Sequence, residues 1–188
     1  MPSHRHTGFS LIELLVALLV IVLLTSVVSL NVGGGQALKR TEEVRHLAAT
    51  MGYAQTQAEL AGSDFGLLIE REVNAGDDRY VGRWLQRFDQ GWAQPSAVSD
   101  VLEPFIFESG AHLMLALIDD PDVLIQASNP ELNPVPQVVF FAGGEVAEGE
   151  LDWIDAVSGE LLFRLQWDLF GRTEILPRGQ RKEGDETR

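Results

Sequence analysis

The pattern of hydrophobic and polar positions divides the chain into three parts, of which the first is almost entirely apolar. Every residue from 14 to 24 is apolar, and no charged residue lies between Glu13 and Lys39. Residues 9–30, taken as one helix, have about the 20 residues that are needed to span the hydrocarbon core of a bilayer. The pattern therefore predicts a transmembrane helix over residues 9–30.

The second part, residues 31–62, predicts an amphipathic helix that packs on a globular core. Apolar residues recur every three or four positions, which is the spacing of one helix face. The predicted stripe consists of Val44, Leu47, Met51, Ala54, Ala58 and Ala61. Gly33-Gly34-Gly35 precedes it, and each glycine costs a helix about 1 kcal/mol relative to alanine. We expect a hinge or break there, which could serve as a flexible joint or as a simple linker.

The third part, residues 63–177, predicts a β-rich domain. Short apolar runs alternate with glycine, proline, asparagine and aspartate, as is typical of strands joined by turns. The predicted strands are 65–69, 80–88, 112–118, 123–127, 138–141, 150–154, 161–167 and 172–176. Residues 178–188 are polar and of mixed charge, so we expect a disordered tail.

The charge and the cysteine content exclude several classes of function. The net charge is −14, and since Arg5 and Glu13 cancel within residues 1–30, all of it falls on residues 31–188. This excess of negative charge counts against nucleic-acid binding, in which lysine and arginine side chains neutralise the phosphates. The chain has no cysteine, so disulfides, thiol catalysis and thiolate metal sites are absent.

Glu13 requires an explanation because a carboxylate well inside a spanning helix costs about 2.5–3.5 kcal/mol. The segment could be a removable secretory signal cut after residues 27–29, or a plain membrane anchor that tolerates the charge. A third possibility is a cut between Gly8 and Phe9. That cut would create an ammonium group at Phe9, four residues from Glu13 on the same helix face. Glu13 would then lie in the first turn, where the helix dipole favours a negative charge.

The stretch Gly8-Phe9-Ser10-Leu11-Ile12-Glu13 follows a short leader that contains Arg5 and precedes the apolar run. In this order it resembles the class III signal of type IV pilins and type II secretion pseudopilins. The resemblance implies that a prepilin peptidase cuts after Gly8 and that Phe9 becomes an N-methylphenylalanine. It also implies that Glu13 recognises the Phe9 amine of a neighbouring subunit, although the spacing equally allows Glu13 to pair with its own Phe9.

A second resemblance covers most of residues 53–176. The segments YAQTQAELAGSDFGLLIE, YVGRWLQRF, GWAQP, VVFFAGGEV and LFGRTEIL resemble the minor pseudopilin H family of type II secretion. Residues 96–136 depart most from that family. The implied fold is α+β and pilin-like, in which a long N-terminal helix, transmembrane in its first half, is followed by an antiparallel β-sandwich. The implied domains are a leader over 1–8, an assembly helix over 9–30, a hinge and second helix half over 31–62, and a globular domain over 63–177.

The resemblance also implies a function and a location. The chain would be a structural subunit near the tip of a periplasmic pseudopilus that exports folded proteins. It would cross the bacterial inner membrane once, with its N-terminus in the cytoplasm and its domain in the periplasm. Implied partners are other pseudopilins, the prepilin peptidase and the inner-membrane assembly platform, with no cofactor and no nucleic acid. The alternatives are a minor pilin that primes a type IV pilus and, with the charge against it, a DNA-uptake pilin.

The sequence offers no set of residues typical of an enzyme. Outside the leader the histidines are His46 and His112, which lack the spacing of metal ligands. The acidic run Asp119-Asp120-Pro121-Asp122 could supply oxygen ligands to calcium, but it lacks the ligand pattern of an EF-hand, so a solvated turn is the better interpretation. Four tryptophans, Trp84, Trp92, Trp153 and Trp167, suit either a core or a recognition surface, and strand-rich sequence favours the core.

Overall fold

A computed structural model describes residues 11–74, 77–96, 99–107, 110–129 and 133–180, with the backbone alone described at 23–37, 74, 77 and 78. The leader, Gly8 and Phe9 lie outside these residues. The chain forms two compact units, Met1–Thr41 and Glu42–Arg188.

One helix, α1, runs from Leu11 to Ala61 without interruption. The prediction of a break at Gly33-Gly34-Gly35 was wrong, because the backbone stays helical through all three glycines. A cost of about 1 kcal/mol per glycine is small for a helix whose hydrogen-bonded turns continue on both sides, since propagation needs no new nucleus. Whether these glycines make the helix more flexible stays a prediction.

The apolar side chains at the start of α1 are exposed. From Leu11 to Val22 the large aliphatic side chains keep between 47% and 82% of their accessible surface. Among the residues that the structure describes, no helix combines the length and the apolar character needed to cross a membrane. The transmembrane assignment of residues 9–30 stays a prediction.

The second unit contains two antiparallel sheets of five strands each. Sheet A has the order β3-β2-β1-β7, with β4 beside β2, and sheet B has the order β10-β9-β8-β5-β6. The strands of sheet A are β1 (Phe65–Asn74), β2 (Asp77–Phe88), β3 (Gly91–Ala93), β4 (Phe105–Ile106) and β7 (Val138–Phe140). Those of sheet B are β5 (Ala111–Leu117), β6 (Asp120–Val123), β8 (Gly149–Asp155), β9 (Leu161–Trp167) and β10 (Thr173–Pro177). The expected α+β fold with an antiparallel sandwich is confirmed.

The core lies where the second half of α1 meets both sheets. Five residues of the predicted stripe, Val44, Leu47, Met51, Ala54 and Ala58, are buried in one cluster with residues of sheets A and B. Ala61 was wrongly included, since it is exposed at the end of the helix, just before Gly62 turns the chain with φ 59°. The core assignment is confirmed for Trp84, Trp153 and Trp167, whereas Trp92 is only half-buried.

Most predicted strands are present, and the errors fall in the middle of the domain. The strand predicted at 123–127 was wrong, because β6 ends at Val123 and only Ala127 makes an isolated bridge, to Arg71. The strands β3 and β4 and the 3₁₀ turn Asp100–Leu102 were missed. These elements are two or three residues long, which is too short to show a periodic pattern.

The predicted tail begins later than expected. Residues 178–180 form a hydrogen-bonded turn, in which the Arg178 N–H donates to the Leu162 carbonyl at 3.0 Å. Residues 181–188 lie outside the described part of the chain.

A side-chain amide completes the outer edge of β1. Three residues of β1 pair with β7. Further along the same edge of β1, the Ile69 N–H donates to Gln137 Oε1 at 2.8 Å, and Gln137 Nε2 donates to the Ile69 carbonyl at 2.9 Å. Two residues further, the Arg71 N–H donates to the Gln126 carbonyl and the Arg71 carbonyl accepts from the Ser128 N–H. Gln137 therefore takes the place of a strand residue and satisfies backbone groups that would otherwise be unpaired.

The close contact at Gly82 leads to a stability prediction. A Cβ at position 82 would overlap the ring of Phe105, whereas a Cβ at Gly52, on α1, would meet nothing within 4 Å. Gly82→Ala should therefore lower the free energy of unfolding by about 1–3 kcal/mol. Gly52→Ala should raise it by about 0.5–1 kcal/mol. Urea denaturation followed by tryptophan fluorescence measures both, and an unchanged stability of Gly82→Ala would contradict the packing of β4 on β2.

Candidate assembly segment and domain surface

The described part of the predicted assembly segment contains Glu13 and lacks Gly8 and Phe9. Glu13 lies in the first turn of α1, with an exposed side chain. Its neighbours on the helix, Ile12 and Leu14, are exposed aliphatic residues. The positive end of the helix dipole stabilises a carboxylate at this position. The helix therefore presents an acidic group within an apolar surface near its N-terminal end.

Three side-chain hydrogen bonds, made by Glu43 and Gln55, fix the second half of α1 against the sheets. Trp153, which is fully buried, donates from Nε1 to Glu43 Oε1 at 2.8 Å. Three turns further along, Gln55 Nε2 donates to the Gly144 carbonyl at 2.8 Å and to the Phe170 carbonyl at 3.0 Å. These bonds set both the rotation and the axial position of the helix, which an apolar stripe alone fixes less well. None of these bonds could be predicted from the sequence, because the partners lie more than 80 positions apart.

Charged side chains on the outer faces of the sheets form ion pairs. Arg164 contacts both Asp152, at 2.7 Å, and Glu150, at 3.1 Å. The hydrogen bond to Asp152 raises the pKa of Arg164, against an opposing effect of burial, and the charges of both carboxylates add to the rise. On sheet A, Arg83 lies 3.1 Å from Glu70 and 3.4 Å from Glu72. Such pairs add little stability where they are exposed.

A compact turn joins β9 to β10. Asp168 Oδ1 accepts from the N–H groups of Phe170 and Arg172, each at 3.0 Å, and Arg172 Nε donates to Asp168 Oδ2 at 2.7 Å. Gly171 has φ 69°, and a Cβ there would overlap the amide of Gln55. Glycine is therefore needed both for the turn and for its contact with α1.

The described residues show no arrangement that resembles a catalytic or metal site. His46 and His112 are both exposed, and His46 only meets the ring of Phe105 edge-on. Across the described ranges, no group of three or more histidine or acidic side chains could hold a metal ion. In the run from Asp119 to Asp122, the first residue lies in the β5–β6 turn and the Asp122 N–H donates to Asp120 Oδ1 at 3.4 Å.

Comparisons with known proteins agree with this architecture. Residues 3–29 match the family model of the prokaryotic N-terminal methylation motif. Type II secretion system protein H of Aeromonas hydrophila is 25% identical, in an alignment that covers 97% of this chain and 100% of that protein.

Solved structures show the same fold. A crystal structure of the minor pseudopilin EpsH of the Vibrio cholerae type II secretion system superposes with a TM-score of 0.57 at 17% identity, covering 76% of this chain and 96% of that one. The solution structure of Escherichia coli GspH gives 0.53 at 16% identity, covering 76% and 89%. The chain carries a prepilin-type N-terminal motif and has the fold of the minor pseudopilin H structures. The match at residues 3–29 is thus accompanied by a likeness in fold that covers 76% of the chain.

The β9–β10 turn of this pseudopilin domain gives a pH prediction. Partial burial raises the pKa of Asp168, but the hydrogen bonds from the Arg172 and Phe170 N–H groups and from the Arg172 guanidinium outweigh it, so that the pKa lies below its ordinary value of 3.8. A carboxyl whose pKa is lowered on folding stabilises the fold above about pH 4, and the stabilisation disappears as the pH falls through the folded-state pKa. Arg172→Met should therefore raise the pKa of Asp168, as measured by carbon NMR titration.

Arg172→Met should also reduce the difference between the free energies of unfolding at pH 7 and at pH 3, because less of this free energy then depends on the charge of Asp168. Arg178→Met serves as the control, since Arg178 is an exposed arginine that follows β10. An unchanged titration of Asp168 in Arg172→Met would contradict the role of the guanidinium.

Proposed function

We propose that this chain is a minor pseudopilin of the type II secretion system. It is a structural subunit near the tip of the periplasmic pseudopilus and helps to export folded proteins across the outer membrane. The observation that carries this proposal is the combination of an N-terminal methylation motif with a minor pseudopilin H fold in one chain. Either feature alone is also compatible with other pilin-type proteins.

The chemistry of the N-terminus explains why Glu13 is retained in an apolar segment. Cleavage between Gly8 and Phe9 exposes an amine, which N-methylation leaves positively charged. A carboxylate at Glu13 and this amine attract each other strongly where water is excluded, and the pair offsets the cost of placing either charge among lipids. The same attraction, acting between Glu13 of one subunit and the Phe9 amine of the next, holds neighbouring subunits together.

The same segment accounts for membrane insertion before assembly. Residues 9–30 hold the subunit in the inner membrane, with the leader on the cytoplasmic side, an orientation that follows from the resemblance of the N-terminal motif to prepilin signals. The domain then lies in the periplasm. Since the exposed aliphatic side chains of Leu11–Val22 suit lipid and the apolar helices of other subunits equally well, a subunit can pass from the membrane into a filament without exposing them to water.

Secretion is favoured over the priming of a type IV pilus, because the Aeromonas hydrophila relative, found over nearly the full length, and the Vibrio cholerae structure are both type II secretion proteins. A structural role without catalysis also suits the described domain surface. Its partners in this role are other pseudopilins, the prepilin peptidase and the inner-membrane assembly platform.

Glu13→Ala tests the assembly role. The variant should still be cleaved after Gly8 and should still fold its domain, because Glu13 lies in the unit Met1–Thr41, outside the domain. It should enter pseudopili several-fold less than the natural chain, since the methylated amine of a neighbour then lacks its partner. Crosslinking of the variant to other pseudopilins, together with secretion by the host, measures this.

Glu42→Ala is the matched control. It removes a carboxylate from the same helix, where Glu42 forms an exposed ion pair with Arg45 at 3.2 Å that contributes at most about 1 kcal/mol. Normal incorporation and normal secretion by Glu13→Ala would exclude the assembly role of this residue.

A further inference from the structure

Exposed apolar side chains gather at the end of the domain where α1 terminates. They come from the helix terminus, the end of β2, the segment after β7, the β9–β10 turn and the β5–β6 turn. We name them the helix-end face: Leu60, Phe88, Phe141, Leu169, Phe170 and Ile118. Leu60, Ile118 and Phe170 keep 77%, 70% and 63% of their surface exposed. Isolated exposed apolar residues are ordinary, but a group of six at one end of a domain is typical of a binding surface.

Hydrogen bonds show that these segments are neighbours. The helix terminus is joined to the end of β2 by Ser63 Oγ, which donates to the Arg87 carbonyl at 2.8 Å. It is joined to the segment after β7 by the Ala142 N–H, which donates to Asp64 Oδ1 at 3.0 Å. Gln55 holds that segment beside the β9–β10 turn through its two carbonyl contacts.

The β5–β6 turn is connected through the chain that leads into β8. The Ile118 N–H donates to the Glu148 carbonyl at 2.9 Å, and the Val146 N–H donates to the Leu169 carbonyl at 2.9 Å. Hydrogen bonds therefore hold the backbone segments that carry these apolar side chains before a partner binds. Binding to such a surface loses little conformational entropy, which favours affinity.

The charge around the helix-end face is predominantly negative. Seven carboxylates lie on the same segments as the apolar residues: Glu59, Asp64, Asp89, Asp119, Glu145, Glu148 and Asp168. In the described part of these segments the opposing cations are Arg87, which stacks over Trp92 at 5.7 Å, and Arg172, which pairs with Asp168 and lies over the ring of Phe170 at 5.6 Å. An apolar centre with an acidic rim fits a partner that has apolar side chains surrounded by lysine or arginine, since complementary charge guides association and selects the partner.

We propose that the helix-end face is a docking surface for a positively charged, partly apolar segment of a neighbouring pilin-type subunit. The inference rests on the proposed function, which places the chain in an assembly of such subunits. Phe170 and Phe141 supply the apolar contacts at the centre, where aromatic residues contribute most to interfaces. Glu145 and Glu148 pair with the basic residues of the partner at the rim.

Site-specific photocrosslinking of the full chain in its native host tests this surface. Phe170 is replaced by p-benzoylphenylalanine, and the crosslinked peptide is identified by tandem mass spectrometry. The control probe replaces Val157, which is 96% exposed in the turn between β8 and β9. We expect a strong crosslink from position 170 to a peptide that carries lysine or arginine beside apolar residues, and several-fold less from position 157. Equal yields from both positions, or a peptide from 170 without basic residues, would overturn the proposal.

Charge-neutral variants test the rim. Glu145→Gln combined with Glu148→Gln keeps the size of both side chains and should reduce the crosslink from position 170 about threefold or more, an effect expected of charges that guide association. The matched control, Glu103→Gln combined with Glu160→Gln, removes two carboxylates from elsewhere on the domain and should leave the yield unchanged. Equal effects of the two pairs would overturn the charge argument.

Incorporation into pseudopili, measured in the same cells, separates this inference from the proposed function. Normal incorporation without a crosslink from position 170 would overturn the docking surface and leave the function intact. A chain that never enters the assembly would overturn both.

Discussion

The structure depends on a single helix that must suit two different environments. The first part of α1 exposes aliphatic side chains from Leu11 onward, whereas the second part buries one stripe from Val44 to Ala58 between the sheets. A helix with aliphatic residues on every side is stable among lipids or other apolar helices. A helix with a single apolar stripe is stable where one face packs on a protein core and the other faces water. The same helix backbone therefore joins the exposed aliphatic segment to the folded domain.

Within the domain, small residues and polar contacts determine how closely the helix packs. Ala54 and Ala58 allow α1 to lie near the sheets, while Glu43 and Gln55 fix its rotation through the indole of Trp153 and two turn carbonyls. Because those turns also display the exposed phenylalanines, the position of the helix determines the geometry of the helix-end face. Domain packing and the proposed docking surface therefore both depend on the position of one helix.

Much of this architecture could be predicted from the sequence, because long periodic segments carry a clear signal. The stripe on α1 and strands such as β9 follow from spacing alone. The short strands β3 and β4 carry no period, and the replacement of a strand residue by the Gln137 amide depends on a contact across 68 positions. The helix through Gly33–Gly35 shows a further limit, since local propensity is outweighed when a helix continues on both sides. The exposed residues of the helix-end face could not be predicted, since their common position arises only from the topology of the two sheets.

The central claim is that the N-terminal segment is processed at Gly8 and then retained for assembly. The most direct test is the intact mass and N-terminal sequence of the mature protein, purified from membranes of its native host. The account predicts a chain that begins at Phe9 and is heavier by one methyl group. A chain that begins at Leu30, or one that still begins at Met1, would contradict it.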